Sequence, residues 1–273
     1  MTKPQIILCA DDYAQNLAIS EGICELVAAR RLSAVSCMTT TADWEAAAKM
    51  LQPDEAKVDI GLHFNLTHGA LLTRLPFSHR TLMSQCFLGK LNPQSIIDEL
   101  TAQLQRFNDI MKRPPDFIDG HQHIQQLPTV RRALIEVYQR QFDKTKPYLR
   151  IAGVSKISSL MRSPNKLKQL LIHFTGARQL QQLAAESQIP YISSFSGIYN
   201  FGKHSNYATI FKRFLAAVSG PSLIMCHPGN LSDDIDDPIR AARPRELAYF
   251  KSQQFLEDLT TMKYSLCRFQ ETL

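Results

Sequence analysis

Two aspartates stand side by side at the end of the first apolar run, in Ile6-Ile7-Leu8-Cys9-Ala10-Asp11-Asp12-Tyr13. Adjacent carboxylates repel each other, so a buried pair needs a cation between them or a shared proton. On this segment alone two readings stand level: a helix cap beside a solvated neighbour, or a site. Polar residues recur at the ends of other apolar runs. His63 and Asn65 lie in Gly61-Leu62-His63-Phe64-Asn65, and Asp119, His121 and His123 in Ile118-Asp119-Gly120-His121-Gln122-His123. His227 follows Leu223-Ile224-Met225-Cys226. A carboxylate with two imidazoles is a sensible ligand set for zinc, manganese, cobalt or magnesium. Such an ion lowers the pKa of its water and polarises a carbonyl. A second carboxylate can then accept a proton from that water, and a histidine across the site can protonate a leaving group. The chemistry is hydrolysis of an amide or ester. Singly, each piece is weak: a lone histidine is more often a core or rim residue, and His227-Pro228-Gly229 reads equally as a turn.

These residues can meet only if their apolar runs are neighbouring strands. Strands are expected at 6–9, 34–38, 58–66, 117–121, 148–151, 191–193, 222–226 and 265–269. Helices are expected at 17–29 (capped by Asn16), 44–51, 95–111, 129–141, 208–218 and 243–259. The run 58–66 alternates strictly, with Val58, Ile60, Leu62, Phe64 and Leu66 on one face and Asp59, Gly61, His63 and Asn65 on the other. His121 and His123, two apart, are read as sharing one strand face. A long connection without regular structure is expected from Thr67 to about Asn92. Strands alternating with helices imply parallel pairing, so the fold class is α/β: a deformed or incomplete (β/α) barrel in a single domain. In such a barrel the active site lies at the C-terminal strand ends, where the polar clusters fall.

The 273 residues are 44% hydrophobic and 21% charged, which suits a soluble globular domain with a sizeable core. No apolar run is long enough to span a bilayer, and the five or so apolar residues before Asp11 are too few for a secretory signal; a cytoplasmic location is expected. Six cysteines form no CxxC pair and read as core residues rather than a disulfide or thiolate-metal framework. Between Arg140 and Arg178 lie nine Lys/Arg and one acid, Asp143, a local excess larger than the net charge of +6. The stretch has no interleaved aromatic pattern or nucleic-acid motif, so it reads as a solvated helical insertion.

Taken together the strings resemble the YdjC-like carbohydrate deacetylase family, also called the chitooligosaccharide deacetylase group. The matching pieces are Ala10–Tyr13, Gly61–Thr67, Ile118–His123, Met225–Gly229 and Arg243–Leu247, in the family's order. The resemblance implies one deacetylase domain over 1–273, with a basic helical insertion around 152–188. It implies a deformed barrel that removes acetyl groups from N-acetylated sugars or short chitooligosaccharides with one divalent ion, Mg²⁺ or Zn²⁺. Asp12, His63 and His121 would be the metal ligands, Asp11 the general base and His227 the general acid. Arg150, His123 and Asn65 would contact substrate. The implied partner is an N-acetylated sugar, with neither nucleic acid nor membrane, and a homodimer is compatible. Tyr13, Ser20 and Gly120 depart from the family's usual residues. Two rivals are another metal hydrolase on a similar barrel, such as a phosphoesterase or cyclic amidase, and a non-catalytic sugar-binding protein. A second ion about 4 Å from the first would favour the former.

Overall fold

Strand β1 (Gln5–Tyr13) is the hub of the sheet: it pairs in parallel with β2 (Ala34–Cys37), β8 (Ser222–Cys226) and β9 (Ser265–Leu266). The computed structural model describes residues 4–72, 78–143, 145–153, 175–202, 206–218 and 220–272. Beyond β2 the sheet runs through β3 (Asp59–Phe64), β4 (Phe117–Gly120), β5 (Tyr148–Arg150) and β6 (Tyr191–Ile192); β7 (Phe195–Ser196) lies outside β8. Every pairing is parallel. The two edge strands, β6 and β7, are consecutive in the chain with only Ser193 and Ser194 between them. The ring is thus a nearly closed barrel whose seam is bridged by backbone, as the alternation of strands and helices implies.

Alternation along each strand sorts side chains between two buried compartments. Ile6, Leu8, Val35, Ile60, Leu62, Ile118, Leu149 and Ile224 face the outer helices, while Ile7, Cys9, Ala34, Phe117, Tyr148, Leu223 and Met225 fill the interior. This is why all six residues of β3 are buried although they alternate in sequence: both faces are covered. Towards the C-terminal ends the interior positions turn polar, with Asp11, Ser36, His63, Asp119 and Arg150 following the apolar layer. At the opposite end, Asp59 accepts hydrogen bonds from Arg268 Nε and Phe269 N, each at 2.8 Å. The rings of Phe117, Tyr148 and Phe269 stack in sequence over this floor, with centroids 5.1 and 4.0 Å apart.

The helices are α1 (Leu17–Ala28), α2 (Trp44–Leu51), α3 (His79–Phe87), α4 (Pro93–Met111), α5 (Pro128–Gln141), α6 (Ala177–Glu186), α7 (Tyr207–Ala217), α8 (Arg243–Lys251) and α9 (Gln253–Thr261). Asn16 caps α1 as expected, its side chain accepting from Ile19 N. Three expectations need correction. The connection 67–92 contains α3, begun by the Ser78 cap on Thr81 N; its few apolar residues give no clear periodicity. The single helix expected over 243–259 is two, because Ser252 leaves helical geometry (ψ 159°) and caps α9. His121 and His123 do not share a strand face: β4 stops at Gly120, and 121–126 form a 3₁₀ turn with Gln122 and His123 at φ 54° and 62°. Most of the basic insertion expected around 152–188 lies outside the described residues, apart from α6 and its flanks.

The crowding at Gly61 generates a prediction. A Cβ there would meet the Phe117 ring at 2.4 Å, and that ring is held by the Tyr148–Phe269 stack. Gly61→Ala is expected to destabilise the fold by about 1–3 kcal/mol in urea unfolding. Phe117→Leu in the same chain should recover part of that loss; strict additivity would show that the ring is not the obstacle.

Candidate active site

Strict alternation would send adjacent aspartates to opposite faces of β1. The register shows how both reach the mouth: Ala10 pairs with Val35 but Tyr13 with Cys37, so β1 carries one extra residue. Asp12 sits in that bulge at φ 64°. Asp11 keeps the inward direction of Ile7 and Cys9, and Asp12 is turned beside it.

Each carboxylate is then held by its own arginine. Arg150, from the end of β5, binds Asp11 through both terminal nitrogens, at 2.5 and 2.8 Å. Burial pushes the Asp11 carboxyl up, but Arg150, with His63 and His227, outweighs it and holds the pKa below the ordinary carboxylate value. Arg243, at the start of α8, donates to Asp12 Oδ2 at 2.9 Å and is itself fixed by Asp237 at 2.6 Å. Burial again opposes ionisation at Asp12, and Arg243 with His121 and His63 overcomes it, leaving the pKa well below the ordinary value.

The other oxygen of Asp12 faces two imidazoles. Asp12 Oδ1 lies 3.0 Å from His121 Nδ1 and 3.5 Å from His63 Nε2, and the two ring nitrogens are 3.3 Å apart. His63 is oriented from behind, its Nδ1 donating to Asp119 Oδ1 at 2.6 Å, while Ser36 Oγ donates to the same oxygen at 2.6 Å. That contact fixes Nε2 as the atom offered to the site. Burial lowers the His121 pKa and keeps this ring a neutral lone-pair donor. Burial also opposes charge on His63, yet Asp119 and Asp11 carry its pKa up to about 10. One carboxylate oxygen and two imidazole nitrogens, all within 4.8 Å of one another, fit a divalent ion by number and chemistry. A second group, Cys9, Asp11 and Asp119, is equally close, but the Arg150 guanidinium already lies against both its carboxylates, 2.9 Å from Asp119.

The remaining residues expected at the site fall in distinct places. His227, after β8, donates its backbone N–H to Glu246 Oε2 at 2.7 Å and sets its ring edge-on to Phe201, centroids 5.3 Å apart. His123 is buried against Phe195, and its Nδ1 has no hydrogen-bond partner among the described residues. Burial, with Arg150 next, presses its pKa well below that of free histidine, so the ring is neutral. Arg150 is 0% exposed and reaches the site through Asp11 rather than by direct access. Asn65 is also 0% exposed: its Oδ1 accepts from Thr67 N and His68 N, and its Nδ2 donates to the carbonyls of His68 and Gly69. It shapes the rim loop from within.

Asp119, Ser36, Arg243 and Glu246 carry positioning contacts that the sequence pattern left unassigned. Asp119, Arg243 and Glu246 lay in strings already singled out; for Ser36 no local signal existed. Nine described non-glycine residues have left-handed φ, and they divide cleanly. Arg30, Lys112, Gln188 and Lys263 end helices, whereas Asp12, Ala14, Gln122, His123 and Phe201 surround the site.

A family model described as YdjC-like protein matches residues 5–261. The chain is similar to a carbohydrate deacetylase of Mus musculus, 31% identical over 149 residues, covering 50% of this chain and 47% of the mouse protein. It is 30% identical over 132 residues to a chitooligosaccharide deacetylase of Yersinia enterocolitica, covering 46% of this chain and 52% of that one. The chain spans about half the length of the curated relatives it matches. Among solved structures, a putative cellobiose-phosphate cleavage protein from Enterococcus faecalis V583 superposes with a TM-score of 0.72 over 99% of both chains at 17% identity, a likeness of fold.

Two outcomes follow for metal binding. His63 must give up its Nε2 proton to become a ligand, so binding of Zn²⁺ at pH 7 should release about one proton. Calorimetry in buffers of different ionisation enthalpy reads this directly, and zero release would contradict a protonated His63. Asp119→Asn should weaken metal affinity roughly 10- to 100-fold, as loss of a ligand's outer partner does.

Proposed function

Because the chain belongs to the YdjC-like protein family, we propose that it is a metal-dependent hydrolase that removes acetyl groups from N-acetylated sugars or short chitooligosaccharides. The observation that carries this reading is the division of the aspartate pair. Asp12 converges with His63 and His121, while Asp11 stands beside them on a separate arginine. The deacetylase names of the matched relatives support an acetylated sugar as the substrate class.

A divalent ion, magnesium or zinc, held by Asp12, His63 and His121 would polarise the acetamide carbonyl and lower the pKa of a water beside it. Asp11 is the general base. Arg150 keeps it ionised and fixes its plane, and each carboxylate oxygen retains a lone pair for the proton of the attacking water. His227 is the general acid and gives its proton to the departing amine nitrogen. His123, neutral and buried with an unbonded ring nitrogen, is a substrate contact. Arg150 positions Asp11, and Asn65 serves the substrate by shaping the loop at the rim. A single-ion site is favoured over a two-ion phosphoesterase arrangement, because a guanidinium supplies the cation between Asp11 and Asp119.

Acetate release from N-acetylated chitooligosaccharides, screened across divalent metals, tests the reading; no release with any metal would sink it. Asp11→Asn and His227→Ala are each expected to lower kcat by roughly 10²–10⁴, with metal affinity near that of the unaltered chain. The pH dependence has a definite sign. Asp11 is held below the ordinary carboxylate pKa by Arg150, so its limb of the profile should lie on the acid side of an ordinary carboxylate's. Arg150→Met removes the main influence opposing burial, and the limb should move towards neutral pH at saturating metal. An unmoved limb would remove Asp11 from the role of base.

A further inference from the structure

Helix α8 reaches both halves of the site from one turn. Arg243, at its start, binds the metal-side carboxylate Asp12. Three residues later, on the same helical face, Glu246 is 0% exposed and lies under His227. Glu246 Oε2 accepts from the His227 backbone N–H at 2.7 Å, and Oε1 accepts from the Tyr199 hydroxyl at 2.5 Å. Burial, with Glu246 next, raises the Tyr199 pKa, so that hydroxyl remains a donor. The Tyr199 ring packs on Phe201 at 4.3 Å, and the Phe201 ring lies nearly perpendicular to the His227 imidazole. Phe201 holds a left-handed backbone, φ 57°, which is unfavourable for a bulky side chain. Neighbouring Arg245 donates to the carbonyls of Phe201 and Gly202, at 3.4 and 3.0 Å. No described residue hydrogen-bonds His227 Nδ1. Two described contacts act on this residue: the backbone bond to Glu246 and the packing of its ring on Phe201.

We propose that Glu246 is a positioning residue for His227: one buried carboxylate ties the backbone of the acid to the Tyr199–Phe201 segment that frames its ring. The proposal rests on the reading of His227 as general acid for its kinetic consequences, and on geometry alone for the structural ones. Its functional meaning is selective. An amine is a poor leaving group and needs the acid, whereas an aryl alcohol leaves without one.

The test compares acetate release from an N-acetylated chitooligosaccharide with hydrolysis of 4-nitrophenyl acetate. Glu246→Ala should lower kcat on the acetamide roughly 100-fold, the scale expected of a misplaced catalytic group, and should lower aryl ester turnover far less. KM and metal affinity should stay near those of the unaltered chain. Combining Glu246→Ala with His227→Ala should add little to His227→Ala alone. Tyr199→Phe removes one hydroxyl without changing shape, and should give a smaller loss in the same direction. Equal losses on both substrates, or a fully additive double variant, would overturn the proposal. A second readout needs no activity. In chain labelled at histidine ring carbons, Glu246→Ala and Phe201→Ala should shift or broaden the His227 signal while those of His63 and His121 hold. An unmoved His227 signal would also overturn it. If the unaltered chain releases no acetate, the deacetylase reading falls, and the ring signals still decide whether Glu246 sets His227.

Discussion

Two neighbouring carboxylates can both be ionised in a buried site only if each meets its own cation, and that constraint organises this molecule. Arg150 comes from 139 residues after Asp11, and Arg243 from 231 residues after Asp12. Neither guanidinium can be delivered unless β1 lies central, with β5 round one side of the ring and α8 packed against α1. The bulge in β1 is the local price of the same constraint, since only an extra residue with left-handed backbone turns both side chains to one mouth. From there the order continues. Arg150 also lies against Asp119, Asp119 orients His63, and His63 meets Asp12, so positive and negative groups alternate across the barrel interior.

Much of this was legible in the sequence for a simple reason. Polar residues at the ends of apolar runs have few structural uses, and parallel strands carry all such ends to one face. Asp11, Asp12, His63, His121 and His227 stand out in that way, and the structure brings Asp12, His63 and His121 together. The roles of Arg150 and Asn65 were not readable, because both are set by partners that no spacing rule connects. The guanidinium of Arg150 is consumed by Asp11 and Asp119, and the amide of Asn65 by its own loop. His123 was misread as a strand residue because nothing in Gly120-His121-Gln122-His123 announces two consecutive left-handed residues. The split in the last long helix was hidden for a different reason: Ser252 interrupts the backbone without interrupting the apolar pattern.

The departures from the family's usual residues now have local addresses. Ser20 accepts from Ala14 N and donates to Asn16 O, closing the turn directly after the aspartates. The Tyr13 hydroxyl donates to Ala47 O, away from the mouth. At Gly120 a Cβ would meet Gln125 Oε1 at 2.7 Å, so the space a larger residue would take is occupied by a side chain that also holds Arg150 O. The change at Gly120 thus bears on the packing behind the base rather than on a ligand.

The alternating groups also have a sum. Asp11, Asp12, Asp119 and Asp237 face Arg150, Arg243 and a protonated His63, which leaves one net negative charge in the closed set. Exchanging the His63 proton for a doubly charged ion brings that sum to zero.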